Sequence, residues 1–373
     1  MKVIVAAAGT GGHINPGIAI ANKIKEEEKN SEIVFIGTER GMEKNLVPHA
    51  GYELKTIDSY GIPRRLTIEN MKRFFKTMKS VNEAKKIIRE FKPDIIVGTG
   101  GYICVSVCMA ARRLKVPYVI HESNVLPGIA TKIFAKNAEK IFVGFEETKK
   151  NIKNKNVIVT GTPTKIKRLD YDETTIENKK TELGFDKTMP LVLIFGGSQG
   201  AQSINSSIID IIKKNNHNNY QVLWASGPKQ YPLIKEELEK EGIDINNIKG
   251  IHIKDYIYNM EETMNICDLI VARSGAMTSI EIEKVGKPAI LIPFPFATEN
   301  HQEYNARALE KKKVAKVILD KDLNEQTLSE MINSLISDKK TLIEMGKKAK
   351  ELSINNVEDR IYVEIKEVVN YNK

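Results

Sequence analysis

The apolar run VIVAAA ends in GTGGHINPG, which sets His13 directly behind Gly11 and Gly12. An imidazole with an ordinary pKa near 6.5 can take a proton from a sugar hydroxyl at neutral pH. A lone histidine behind a strand can equally cap or pack, and position alone does not separate the two. Two further glycine stretches, GGSQGAQS (196–203) and ARSGAMTSIE (272–281), also follow apolar runs and open helical patterns. Free backbone N–H groups and the positive helix end make such junctions anion sites, each worth ~0.3–1 kcal/mol to an exposed charge. Together they suit a diphosphate held without a metal. The plain alternative is a set of tight strand-to-helix turns.

Other chemistries fit poorly. The dinucleotide fingerprint G-x-G-x-x-G matches at Gly9 and Gly11 and fails at Ile14, GGSQG does not fit it, and no P-loop occurs. The Asp-x-Asp pattern of metal-dependent nucleotide-sugar transferases occurs at Asp170/Asp172 and Asp320/Asp322. Both pairs are expected in charged stretches away from a strand's C-terminal end, so neither an obligatory metal nor another cofactor is expected. Cys104 and Cys108 lie four apart without a histidine beside them, and Cys267 precedes a strand. All three read as small buried hydrophobes.

Alternating strands and helices must position these loops. Strands are predicted at 3–7, 33–36, 95–97, 118–120, 140–143 and 157–159, and again at 191–195, 221–224, 251–253, 269–271, 289–291 and 315–318. Helical spacing fills 17–28, 201–213 and 277–285, and everything from 323 onward. This alternation predicts an α/β protein with parallel sheets covered on both faces. Two sets of six strands separated by the polar stretch 165–190 predict two Rossmann-like doubly wound domains. The expected boundaries are 1–164, 165–355 and a C-terminal helix, 356–373, returning to the first domain. Ligands of such sheets bind beyond the strands' C-terminal ends. GTGGY (98–102), HESN (121–124) and PFPFATENHQEYN (293–305) fall there too, and the two loop edges are expected to face a cleft.

The 373 residues, 41% apolar and 28% charged, suit a soluble globular chain. Its longest nearly apolar run, 102–111, is too short to span a bilayer, and the N-terminus reads as a buried strand rather than a signal peptide. A cytoplasmic protein is expected. The net charge of +9 is concentrated: residues 63–92 hold ten basic side chains against three acids. Within them Met71, Phe74, Phe75 and Met78 share one helical face, flanked by Lys72, Arg73, Lys76 and Lys79. That helix either packs on the core or rests on an anionic membrane surface. No nucleic-acid partner is expected, because the aromatics are not interleaved with base-reading residues and the loops suit small phosphates.

In order along nearly the whole chain stand GTGGHINPG, GTGGY, HESN, GTP, GGSQGA, RSGAMT followed closely by EI, and TENHQEYNA. As a set they resemble the MurG family, bacterial glycosyltransferases that add N-acetylglucosamine to the lipid-linked muramoyl-pentapeptide of peptidoglycan synthesis. The resemblance implies the glycosyltransferase B fold, with UDP-N-acetylglucosamine held mainly by the second domain and the undecaprenyl-linked acceptor by the first. It also implies metal-free binding of the diphosphate and peripheral attachment to the cytoplasmic face of the cell membrane through Arg64, Arg65, Lys72, Arg73, Phe74, Phe75, Lys76 and Lys79. By motif, Thr10, Gly11 and Gly12 would approach the donor's sugar-phosphate end and Asn124 its N-acetylglucosamine side. Ser198 would bind phosphate, and Ile257 would offer its backbone to uracil. Ala276, Met277 and Thr278 would line the nucleotide site and Glu281 would take the ribose hydroxyls. Gln302 would hold sugar hydroxyls, with His301 and Glu299 nearby.

One motif departs from the family. After GTP the family has valine then arginine, whereas here stand Thr164 and Lys165. Lysine keeps the charge and loses the bidentate fork, and Arg168 is a candidate to compensate. The expected reaction is an inverting transfer to the acceptor's 4-hydroxyl with His13 as general base, the first loop also meeting a diphosphate. Rival expectations on the same fold are a diacylglycerol or small-molecule glycosyltransferase and a UDP-sugar 2-epimerase. A nicotinamide-dependent oxidoreductase and a non-catalytic nucleotide-sugar binder stand further off.

Overall fold

Aliphatic and β-branched runs form strands buried on both faces, and in this chain they assemble two all-parallel sheets, each in its own unit. The computed structural model describes residues 1–60, 68–197 and 200–372, and for 68–75, 77 and 78 the backbone alone. The first unit comprises Met1–Thr164 and Ile354–Lys373, the second Lys165–Ser353.

In the first unit the strands are β1 (Lys2–Ala7), β2 (Glu32–Gly37), β3 (Glu53–Thr56), β4 (Ile95–Gly100), β5 (Tyr118–Glu122), β6 (Lys140–Val143) and β7 (Val157–Val159). They lie in the order β3-β2-β1-β4-β5-β6-β7. Alternation along β1 divides the core. Ile4 and Ala6 join Val81, Ala84 and Ile88 of the helix Ile68–Phe91 and the helix Ile103–Leu114 on one face. Val3, Val5 and Ala7 join the helix Gly11–Glu27 and the last helix, Val357–Tyr371, on the other. That is the doubly wound arrangement. The last helix buries Val357, Ile361, Tyr362, Ile365, Val368 and Val369. Its Asp359 pairs with Lys23 at 2.6 Å and raises the lysine's pKa.

The second unit holds β8 (Leu191–Phe195), β9 (Gln221–Ala225), β10 (Ile251–Lys254), β11 (Leu269–Ala272), β12 (Ala289–Leu291) and β13 (Ala315–Val317), ordered β10-β9-β8-β11-β12-β13. Val192 and Ile194 pack against the helix Gln202–Lys213, while Leu191, Leu193 and Phe195 meet Met264 and Ile282 on the opposite face.

One expectation needs correction. The first sheet has seven strands rather than six: β3, ELKT, alternates charged with apolar residues and pairs only with β2 at the edge, so no continuous apolar run marks it. The stretch 165–190 lies in the second unit and contains the helix Glu173–Glu182, whose N-cap Asp172 accepts from the Thr175 amide at 2.8 Å. No helix among the described residues is long and apolar enough to cross a membrane.

Candidate functional site

In the first sheet the strand order reverses between β1 and β4, the place where doubly wound sheets bind ligands. The helix after β1 starts at Gly11, six residues earlier than its periodicity predicts, so Gly11, Gly12 and His13 make its first turn. Two glycines and Pro16 hide that start from a propensity reading. Thr10 is the extended N-cap and makes no side-chain capping bond. The His13 amide donates to the Thr10 carbonyl at 3.0 Å, and the His13 carbonyl accepts from Thr99 Oγ1 at 2.7 Å. Thr99 sits where the β1–β4 register shifts, Ala6 facing Gly98 and Ala7 facing Gly100. Such a bulge re-aims the strand end beside a site. Gly100 has φ +118, and a Cβ there would overlap the His13 ring, so the imidazole lies directly on bare backbone.

The HESN motif backs this turn. His121 is fully buried, with Nε2 3.1 Å from the Gly161 carbonyl of GTP and Nδ1 3.4 Å from Ser123 Oγ. Burial pushes its pKa down to about 4, against the pull of the Gly161 carbonyl and with help from His13, so it is neutral at physiological pH. Glu122 accepts from the Asn124 amide and Nδ2 at 3.0 and 3.1 Å, and from Gly128 and Thr131 at 2.9 and 2.8 Å. Asn124 is thereby fixed at the end of β5, one strand beyond β4. Glu122 and Thr99, which stand inside the HESN and GTGGY motifs but are not among the expected site residues, hold the candidate residues Asn124 and His13 by these hydrogen bonds.

In the second unit the reversal falls between β8 and β11, and the two expected anion loops follow those two strands. The helices Gln202–Lys213 and Ala276–Val285 both begin without a side-chain cap, at Ala201 and Gly275, and helix starts of this kind suit anions. Gly200 has φ +76, and a Cβ there would collide with the Ser226 carbonyl. Ser198 lies outside the described residues. Ala276, Met277 and Thr278 form the first turn after Gly275, and the half-buried Glu281 follows one turn later. Ile257 is buried just past β10, and Lys165 is exposed at the unit's first position.

Arg273, between β11 and its glycine loop, ties this edge together. Its guanidinium donates to the Ile292 and Pro293 carbonyls at 3.2 Å each, to Asp320 Oδ1 at 2.5 Å and to Ser203 Oγ at 2.8 Å. The expectation that Asp320 sits away from a strand end is wrong: it lies three residues past β13, at the same edge. Its carboxylate is committed to Arg273 and Ser203, and Asp170 pairs with Arg168 at 2.7 Å. Among the described residues no group of three or more His, Cys, Asp or Glu side chains could hold a metal ion. Gln302 Oε1 accepts from the Phe294 amide at 3.0 Å, and its carbonyl accepts from Ser274 Oγ at 2.8 Å. The preceding turn is strained: Glu299 and Asn300 have φ of 52 and 56, the left-handed region that side chains rarely occupy.

Outside the loops, Cys104, Cys108 and Cys267 are buried and unbridged. Burial pushes the Cys267 thiol up to about 12, and a hydrogen bond with the Cys104 thiol together with burial raises Cys108. In the basic segment Arg64 and Arg65, and the side chains of Met71, Lys72, Arg73, Phe74, Phe75 and Met78, lie outside the described residues. Lys76 and Lys79 are exposed. Lys76 donates to the Tyr60 hydroxyl at 3.4 Å and lies 3.7 Å from Asp58.

Comparison with known proteins follows the same division into units. The glycosyltransferase family 28 N-terminal domain matches residues 3–143 and the family's C-terminal domain residues 191–361. A protein of Acetivibrio thermocellus is 42% identical over 99% of this chain and 98% of its own length. One of Bacillus licheniformis is 37% identical over the full length of both. Each is named UDP-N-acetylglucosamine--N-acetylmuramyl-(pentapeptide) pyrophosphoryl-undecaprenol N-acetylglucosamine transferase. The crystal structure of Acinetobacter baumannii MurG matches with a TM-score of 0.78 and 25% identity, covering 98% of this chain and 99% of that one. A UDP-GlcNAc 2-epimerase from Neisseria meningitidis shares the fold at a TM-score of 0.65 and 16% identity, over 98% of this chain and all of that one.

Proposed function

The chain belongs to glycosyltransferase family 28, and from that premise we propose that it transfers N-acetylglucosamine from UDP-N-acetylglucosamine to the 4-hydroxyl of lipid-linked N-acetylmuramoyl-pentapeptide, with inversion. One observation carries the reading. Two relatives bearing that transferase name are 42% and 37% identical over 99% and 100% of this chain, a span that includes both units.

The proposed mechanism uses the loops at these strand ends. UDP-N-acetylglucosamine binds the second unit with its diphosphate on the uncapped helix starts at Gln202 and Ala276 and its ribose on Glu281. Those amides and helix dipoles stabilise the charge that develops on departing UDP, a task a metal performs elsewhere. Lys165 adds a positive charge, and Ser198 and the Ile257 backbone contact phosphate and uracil. Gln302 and Asn124 contact the sugar. Thr10, Gly11 and Gly12 present further amides. His13, held by Thr99 and seated on Gly100, takes the proton from the attacking hydroxyl as the acceptor oxygen bonds to the anomeric carbon. The basic segment 63–92 brings the enzyme to the anionic cytoplasmic face of the membrane, where the lipid acceptor resides.

The test is transfer of radiolabelled N-acetylglucosamine to lipid-linked muramoyl-pentapeptide by purified protein in the presence of a chelator. Labelled disaccharide-lipid is expected. Label on diacylglycerol, or conversion of the donor to its 2-epimer without an acceptor, overturns the reading.

A further inference from the structure

Beneath the first-unit loops lies a carboxylate that the proposed reaction leaves unused. Glu43 is fully buried. One of its oxygens accepts from the Gly9 amide at 2.9 Å, and the other from the amide and hydroxyl of Thr38 at 3.0 and 2.7 Å. The Thr38 hydroxyl lies 3.1 Å from the Tyr102 hydroxyl, and the Met42 amide lies 3.5 Å from the Gly9 carbonyl. The loops after β1 and β2 thus meet at one carboxyl group, and Tyr102, after β4, joins them through the Thr38 hydroxyl. Gly9 stands one residue before Thr10, whose carbonyl receives the His13 amide.

A charged acceptor that gathers donors from separate loops fixes them more firmly than neutral bonds do. A general base must also stay close to the proton it takes. We propose that Glu43 is a positioning residue for the transfer: its carboxylate sets the turn Gly9–Thr10 and so aims His13. The proposal rests on the reading of His13 as base, and it adds a residue that touches neither substrate.

Glu43→Gln in the full chain preserves shape. Its carboxamide can accept from Gly9 or from Thr38, and its NH2 end opposes the other donor. A base displaced by about 1 Å can cost up to about 100-fold in rate, so kcat should fall by about 10- to 100-fold. The KM for UDP-N-acetylglucosamine should rise by less than kcat falls, since most of its proposed contacts lie in the other unit and only Thr10, Gly11, Gly12 and Asn124 in this one. In a His13→Ala background the same change should cost almost nothing further, because both act through one group. Amide exchange over residues 8–13 should quicken, while exchange over 272–281 should not.

Wild-type kcat in Glu43→Gln, or a loss that simply multiplies that of His13→Ala, overturns the proposal. Should Glu43→Gln fail to fold, Thr38→Val decides: it removes one donor and the link to Tyr102 while the carboxylate stays. A smaller fall in kcat, exceeding any rise in donor KM, supports the proposal, and wild-type kcat overturns it. Wild-type protein that transfers no sugar overturns the function instead, and the exchange arm then still reads whether Glu43 sets the loop.

Discussion

His13 occupies a helical first turn with its ring on the bare backbone of Gly100, so truncating it removes the proposed base and leaves its supports in place. His13→Ala is expected to lower kcat by ~10²–10⁴ with the donor KM unchanged, measured by steady-state transfer. Near-normal kcat would reduce His13 to a shaping residue. Glu281 belongs to the second unit, where its carboxylate is proposed to face two ribose hydroxyls. Hydrogen bonds to a charged group are worth ~1.5–3 kcal/mol each, so Glu281→Ala should raise the donor KM strongly. An unchanged KM would sink the assignment. His121 makes the pH dependence testable. Its pKa near 4 lies below the ordinary 6.5, so between these values the unfolded chain binds a proton that the folded unit refuses. Stability therefore falls as pH drops through that window, by up to about 3 kcal/mol, and changes no further below it on this account. His121→Asn should flatten this part of the profile of urea midpoint against pH. An unaltered slope would assign the loss to other groups.

Among the elements, the helix Ile68–Phe91 packs Val81, Ala84 and Ile88 of its second half into the core, while the side chains of Met71, Phe74, Phe75 and Met78, on which the choice between core and membrane turns, lie outside the described residues. Lys76 and Lys79 are exposed on the same helix, and Lys76 is partly engaged by Tyr60 and Asp58. Each basic residue near an anionic surface contributes ~1 kcal/mol, and salt erodes it. Co-sedimentation with anionic but not neutral vesicles is expected, weakening at high salt. Changing Lys72, Arg73, Lys76 and Lys79 to glutamine should abolish it and leave donor binding intact. Equal binding to neutral vesicles would reject the electrostatic attachment. At the sheet edge of the second unit, Arg273 shows why several loops act as one element. A single planar fork bonds two carbonyls, a carboxylate and a hydroxyl, which a lysine could not do.

Across the whole molecule the chain leaves the first unit at Thr164 and returns to it at Ile354. Truncation after Ser353 would strip six buried side chains from the helix Gly11–Glu27 and its neighbours. At ~1.5–3 kcal/mol each their burial is worth ~10 kcal/mol. That rivals the ~5–15 kcal/mol of a whole domain. Calorimetry of the truncated chain should lose the first unit's transition and keep one that UDP-N-acetylglucosamine shifts upward; two surviving transitions would refute this. The strand-glycine-helix order, the two parallel sheets and the loops after β1, β8 and β11 could be read from the sequence, because apolar periodicity and glycine clusters are local signals. The start of the first helix and the edge strand β3 could not, since glycine, proline and alternating charge mask them. Only the tertiary structure decided that Glu43 lies under Gly9, that Asp320 meets Arg273 and that His121 is buried and neutral. The partners in the first two pairs stand 34 and 47 residues apart. No local pattern encodes such pairing, because burial and hydrogen bonding at that separation exist only once the strands have taken their order.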